Sequence, residues 1–311
     1  MPIDAPDAVA TRLDAGYVLV DKPSGPTSYD VARWVGELLD VERTAHVGTL
    51  DPNVHGLLPV LLGRGVKLSG LLARSDKAYV GVLDVHGDVA GIEDVVAEFE
   101  GEIYQRPPKR SGVARNLRTR TIHRFDALDV DGDDGRVLFR VDCEAGTYVR
   151  KLCHDVGLVH GTGAHMQELR RTASGPFSVD DAWILQDVAD AVAWRDEEEA
   201  PLDLADVVRP LSDAVRHLPT VTAAPSAAAS VAHGSPLFAP GVLEVADGAA
   251  PGAIREAMPY GEGALVAVVT PDGRLVAVGT VVGEPGGEEG AVVEPDHVVL
   301  DPEGLDVTDA S

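Results

Sequence analysis

The chain has 311 residues, 45% of them hydrophobic, which suits one large or two ordinary domains with a buried core and excludes wholesale disorder. No apolar run approaches the ~20 residues a membrane-crossing helix needs, and Cys143 and Cys153 lack Cys-x-x-Cys spacing, so the expectation is a soluble, cytoplasmic protein with reduced thiols and no metal. A formal net charge of −25 argues, taken alone, against a polyanionic partner.

In chain order, Met1–Gly16 reads as an N-terminal arm. Tyr17-Val-Leu-Val-Asp21 reads as a short strand running into the turn-rich Lys22-Pro-Ser-Gly-Pro-Thr27. Thr27 or Ser28 can cap an amphipathic helix through Leu39. The segment His46 to Gly56 reads as a loop, in which Asp51-Pro52 between two glycines disfavours helix and places the carboxylate by backbone constraint. An aspartate that merely caps a turn fits the same pattern. After the apolar run Leu57–Leu62, Ala78–Val85 and Arg136–Cys143 alternate as half-buried strands, whereas Val149–Leu158 and Ala164–Arg171 read as helical or partly helical.

The charge is unevenly spread. Pro176 to Ser311 carries 25 acidic and 5 basic residues, whereas residues 1–175 carry 26 and 21. Within the earlier part, Tyr104–Phe125 holds Arg106, Lys109, Arg110, Arg115, Arg118, Arg120 and Arg124 with no acidic residue, an anion-binding strip in an acidic chain. Acidic surface with few lysines suits concentrated salt, where the Debye length shrinks to ~3 Å at 1 M and self-repulsion is screened. The composition therefore points to an extreme halophile, hence an archaeon. A boundary rich in Ala, Pro, Ser and Thr lies near Leu218–Ser230, followed by a hairpin of Leu265–Val269 and Leu275–Val282 around Thr270-Pro-Asp-Gly-Arg274. The absence of βαβ regularity makes the fold class α+β.

Five segments follow one another in a telling order: Asp21-Lys-Pro-Ser-Gly-Pro-Thr-Ser28, His46-Val-Gly-Thr-Leu-Asp-Pro-Asn-Val-His-Gly56, Lys77-Ala-Tyr79, Gly146-Thr-Tyr-Val-Arg-Lys-Leu152 and Gly163-Ala-His-Met-Gln-Glu-Leu-Arg-Arg171. Together they resemble the TruB family of pseudouridine synthases, the last matching a late helix of its catalytic domain. Arg106-Pro-Pro-Lys-Arg-Ser through Ile122 and the fifth segment are similar to the archaeal and eukaryotic, dyskerin-like branch, the catalytic subunit of box H/ACA ribonucleoproteins. His233-Gly-Ser-Pro-Leu-Phe-Ala-Pro-Gly241, followed by Gly263-Ala-Leu-Val-Ala-Val-Val269, is similar to a PUA RNA-binding domain. Ala45 stands where the family often has glycine, and Gly112 where alanine is usual; neither change removes a reactive group.

The resemblance implies a mixed, largely antiparallel sheet with flanking helices over residues 17–215 and a small β-rich PUA domain over 220–297, between an arm (1–16) and an acidic tail (298–311). It implies uridine isomerisation in rRNA directed by an H/ACA guide RNA, and in the TΨC loop of tRNA, with small H/ACA partner proteins and no cofactor. Asp51 would act as nucleophile or as base, Arg150 would pair with it, and Tyr79 would stack on the flipped uracil and relay its C5 proton. His46 would steady the space vacated by the base, and Lys22 and Lys77 would support the site floor or a phosphate. Arg106, Lys109, Arg110, Arg115, Arg118 and Arg120 would hold RNA. His55, His154 and His165 read as structural, and Ser24, Ser28 and Ser111 lack the Gly-x-Ser-x-Gly elbow of a serine hydrolase. Two rival readings are an RNA-binding scaffold without chemistry, which would not need Asp51, Tyr79 and Arg150 together, and a carboxylate hydrolase, which lacks a second motivated carboxylate.

Overall fold

The computed structural model describes residues 9–107, 116–195, 197, 201–250, 258–287 and 289–302. Among them, ten strands form one sheet: β1 (Gly16–Lys22), β2 (Thr44–His46), β3 (His55–Leu62), β4 (Lys77–Val85), β5 (Gly101–Gln105), β6 (Arg118–Asp131), β7 (Arg136–Cys143), β8 (Ala164–Ser174), β9 (Phe177–Ser178) and β10 (Arg209–Pro210). Their order is β10-β1-β3-β8-β4-β7-β6-β5, with β2 on β3 and β9 on β8. The β3–β8 pair is parallel and the other ladders are antiparallel. A second sheet has the order β12-β16-β15-β14-β11-β13, from β11 (Thr220–Ala223), β12 (Leu237–Phe238), β13 (Val242–Ala246), β14 (Leu265–Val269), β15 (Leu275–Val281) and β16 (Ala291–Val298). The α+β class with a largely antiparallel sheet is as expected.

Local sequence accounts for much of this. The helix Ser28–Leu39 starts at a capping box, in which the Thr27 hydroxyl accepts from the Asp30 N–H and the Asp30 carboxylate accepts from the Thr27 N–H. Its Val31, Val35 and Leu39, spaced four apart, are buried against β1 and β3 side chains such as Val18, Val20, Leu58 and Val60. The run Leu57–Leu62 is buried throughout because both faces of β3 are covered. Ala78–Val85 and Arg136–Cys143 do form paired strands, and the helix after Tyr148 runs Val149–His160.

One segment departs from the sequence reading, and two others gain detail from the structure. Residues 164–171 are strand, not helix: β8 runs antiparallel to β4 from Val85↔Ala164 to Lys77↔Ser174 and touches β3 on its other side. Met, Gln, Glu, Leu and Arg favour helix by less than ~0.7 kcal/mol per residue, and two neighbouring strands outweigh that with ladder hydrogen bonds and burial of Leu169 and Arg171. The Ala/Ser/Thr-rich stretch near 218–230 is folded into β11 and the helix Pro225–Ala232, whose Ala228 and Val231 are fully packed. In the N-terminal arm, Val9–Asp14 is a helix whose Arg12 donates to the carbonyls of Ala205 and Val208 at 2.5 and 3.1 Å.

The two sheets share a core. Leu211, Val215 and Leu218 pack between Tyr17 and Leu57 on one side and Ala267, Leu275, Val278 and Val299 on the other. Each such Leu or Val contributes roughly 2 kcal/mol through burial, which joins the two sheets firmly.

Candidate active site

Asp51 lies in the loop between β2 and β3, its side chain about half exposed, and Arg150 forms a charge-assisted ion pair with it. Arg150 sits in the first turn of the helix Val149–His160. Nothing caps that helix from its own N-cap side chain; instead the buried Gln105 at the end of β5 accepts from the Tyr148 N–H (2.9 Å) and donates to the Tyr148 carbonyl (3.3 Å). Residues 99 positions apart thus meet because β5 anchors the turn that carries the arginine.

The loop is held from behind by buried polar groups. Lys22, fully buried, donates to the carbonyls of Pro23, Pro52 and Val54 at 2.8–3.0 Å. The Ser28 hydroxyl accepts from the Leu50 N–H (2.9 Å) and donates to the Leu50 carbonyl (3.1 Å). Arg171, also buried, donates through Nε to Leu57 (2.8 Å) and through Nη2 to Gly48 (3.0 Å). Gly48 has φ +71° and a Cβ there would meet the Arg171 guanidinium at 3.1 Å, so both the turn and the cation need glycine. Each residue flanking Asp51 is therefore tied down while the carboxylate itself faces outward.

Tyr79 is half-buried on β4, opposite Arg171 in the β4–β8 register, so the phenol and that guanidinium share a face. Burial pushes the Tyr79 phenol up to about 12, only partly countered by Arg171, so it is a neutral O–H near pH 7. Burial lowers the pKa of Lys22, His46 and Arg171, and the Arg171 charge lowers Lys22 and His46 further. Lys77 is pushed down to about 8, chiefly by burial and then by Arg171, while it donates to the carbonyls of Ala73 and Ser75. His46 is half-buried with Nε2 3.1 Å from the Thr49 hydroxyl. It lines an open groove of about 730 Å³ that extends past Arg43 and Arg33 to the exposed Tyr29.

The structure thus pairs Asp51 with Arg150 and sets Tyr79 within electrostatic reach of Asp51, while His46 lines the groove; of the two roles expected of Lys22 and Lys77, their positions fit support of the site floor and not contact with a phosphate. Both ammonium groups are buried and bonded to main-chain carbonyls, so neither offers a surface charge. In the basic strip, Arg106 is exposed and Arg118 is half-buried. Arg120 packs beside Gly146 and lies 3.5 Å from Glu144, bracing the turn before Arg150. Lys109, Arg110 and Arg115 lie outside the described residues. Sequence reasoning overlooked Arg171, Ser28 and Gln105. The first could have been found by reading Gly163–Arg171 as an alternating strand, which turns one of two adjacent arginines inward.

Comparison with known proteins gives the family. Residues 37–91 match the TruB family pseudouridylate synthase N-terminal domain, residues 150–216 the tRNA pseudouridylate synthase B C-terminal domain, and residues 219–283 the PUA domain. A Halobacterium salinarum protein named "Probable tRNA pseudouridine synthase B" is 48% identical over 94% of this chain and 96% of its own length. The chain belongs to the TruB family of pseudouridine synthases. A family member of the same name from Haloarcula marismortui is 46% identical over 92% of this chain and 88% of its own. Among solved structures, a chain of a Cbf5-Nop10-Gar1 complex superposes with a TM-score of 0.84 at 38% identity, covering 96% of this chain and 90% of that one. A chain of an H/ACA RNP bound to a substrate RNA containing 2'-deoxyuridine gives 0.84 at 35% identity, covering 97% and 90%. This TruB-family chain is accordingly an enzyme that isomerises uridine in RNA, which removes the scaffold and hydrolase readings. Among its described residues no helix is long and apolar enough to cross a membrane.

Proposed function

We propose that the chain converts uridine to pseudouridine in rRNA under the direction of an H/ACA guide RNA, in the cytoplasm of a halophilic archaeon, with Asp51 as its reacting group. The observation that carries this reading is the Asp51–Arg150 pair on an exposed loop whose neighbours Leu50 and Pro52 are locked by Ser28 and Lys22. Uridine isomerisation needs a carboxylate in a fixed place near C1′ of an extruded nucleotide, and a loop tied from behind supplies it without reorganisation. Asp51 either attacks C1′ as the N1–C1′ bond breaks or takes a ribose proton on the way to a glycal. The detached uracil anion then turns and C5 bonds to C1′, either as the Asp51–C1′ ester bond breaks or as the glycal regains its ribose proton from Asp51, after which the C5 proton leaves and N1 is protonated. Tyr79, neutral and flanked by Arg171, stacks on the base and serves that proton transfer. His46 steadies the turning base from the mouth of the groove, and Arg106, with Lys109, Arg110, Arg115, Arg118 and Arg120, binds phosphates.

Residues 17–215 form the catalytic domain and 220–297 an RNA-gripping PUA domain in this reading, flanked by the arm (1–16) and tail (298–311). The likeness to Cbf5 in complexes with Nop10 and Gar1 supports small H/ACA proteins of that kind as partners. The relatives' tRNA naming supports a second substrate, the TΨC loop of tRNA. The test is tritium release from RNA labelled at uracil C5, in multimolar KCl, with and without guide RNA and partner proteins. Wild type is expected to release tritium and Asp51→Asn none. Guide-dependent release from rRNA assigns the RNP role, and release from tRNA without guide assigns the stand-alone one. Equal release by Asp51→Asn overturns the assignment of the carboxylate.

A further inference from the structure

At the opposite end of β4 from Tyr79, a second cluster of side chains has no part in the uridine chemistry. Asp84 and Tyr79 are five residues apart on one strand, so roughly 17 Å separates the two places. Leu83 and Val85 point into the core, which turns Asp84 and His86 to the other face. The β4–β8 register sets His165 directly opposite Asp84. His86 Nε2 and His165 Nδ1 lie 2.8 Å apart, and ligand atoms of Asp84, His86 and His165 all fall within 4.8 Å of one another.

We propose that Asp84, His86 and His165 bind a divalent first-row transition ion, Zn²⁺ being the representative case. Two imidazoles and one carboxylate are a donor set for such ions, with metal–ligand distances of about 2.0–2.2 Å that need donors ~3 Å apart. The backbone builds the cradle. The His86 N–H donates to the Gly163 carbonyl at 2.9 Å, and Gly163 has φ +80°. A Cβ at Gly163 would meet His86 Nδ1 at 3.2 Å, so glycine is what leaves room for the ring. Arg136, opposite Asp84 on β7, directs its guanidinium to Asp134 at 3.2 Å. The three ligands lie at the sheet's rim with His86 and His165 exposed, so an ion exchanges freely and keeps a solvent position. It would clip the end of β4 to the start of β8, 79 residues on, as a structural staple.

The experiment titrates the full-length protein in molar KCl with Zn²⁺ by calorimetry and with Co²⁺ by visible absorption, beside His86→Gln and His165→Gln. Both histidines are exposed and remote from Asp51, so uridine isomerisation by the variants checks that they fold. The expected result is one ion per wild-type chain, affinity weakened about 100-fold or more in each variant, and a melting temperature raised by about 4 °C in wild type alone. Absence of binding at millimolar ion, or binding that survives both substitutions, overturns the site and leaves a hydrogen-bonded histidine pair.

Discussion

The two sheets bury different kinds of side chain. Behind the Asp51 loop the first sheet buries Lys22, Lys77, Gln105, Ser28 and Arg171. The second sheet, among the described residues, has a core of Val221, Val231, Val266, Val268, Val276, Val292 and alanines, with Thr270 as its buried polar residue. Burying a cation is costly unless its hydrogen bonds are met. Lys22 and Arg171 meet theirs with main-chain carbonyls, so the cost of their burial is exchanged for a loop with one conformation. Among the described residues the second sheet holds no such loop, and aliphatic packing suffices to present a stable surface. Polar burial thus marks where geometry must be exact to react, and apolar burial where shape alone serves.

The comparison makes Arg171→Met the most damaging of four changes. Uridine isomerisation should fall by about 100-fold, since loop displacement near 1 Å costs that much, and denaturant titration should show a loss of about 3 kcal/mol from stranded carbonyls. Unchanged turnover would mean that the loop does not need its cation. At the seam between the sheets, His217 is buried and its pKa is held down to about 4, first by desolvation and then by Arg216. From pH 6.5 down to 4 the unfolded chain takes up a proton that the folded chain refuses, so stability is lost across that window, by about 2–3 kcal/mol. Denaturation at pH 7 and pH 4.5 should show a difference that shrinks in His217→Leu; an equal difference would place the acid sensitivity elsewhere.

Val268→Ala sharpens the contrast from the other side. It should lower stability by about 2 kcal/mol through lost burial and a small cavity, with turnover per folded enzyme unchanged at saturating RNA. A fall in turnover would show that the second sheet positions the reaction as well as the RNA. The smallest effect is expected for Gln105→Ala, which strands the Tyr148 N–H for about 1 kcal/mol and should slow the reaction roughly tenfold by loosening Arg150. Steady-state kinetics with the variant would expose any rise in KM alone, which would contradict a positioning role.

Much of the molecule could be read locally. The capping box at Thr27, the alternation of Ala78–Val85 and Arg136–Cys143 and the hairpin around Pro271-Asp272-Gly273 each depend on residues a few positions apart. The Asp-Pro step between glycines made the loop at Asp51 legible, whereas the choice of Asp51 as a reacting group came only from the resemblance of His46–Gly56 to the TruB segment. Residues 164–171 were misread because single-residue helix preference is weak and strand pairing is supplied from elsewhere in the chain.

By itself, then, the amino-acid order determined the loop that bears Asp51, the acidic charge, and the elements whose period or caps are local. Tertiary structure decided that Lys22 and Lys77 turn inward rather than toward RNA, that Arg171 reaches Gly48 and shares a face with Tyr79, and that Arg150 meets Asp51. It also decided that His165 stands beside His86 and Asp84. The physical reason is the same in each case: register between strands far apart in sequence sets which side chains share a face, and burial then fixes what a charge can touch.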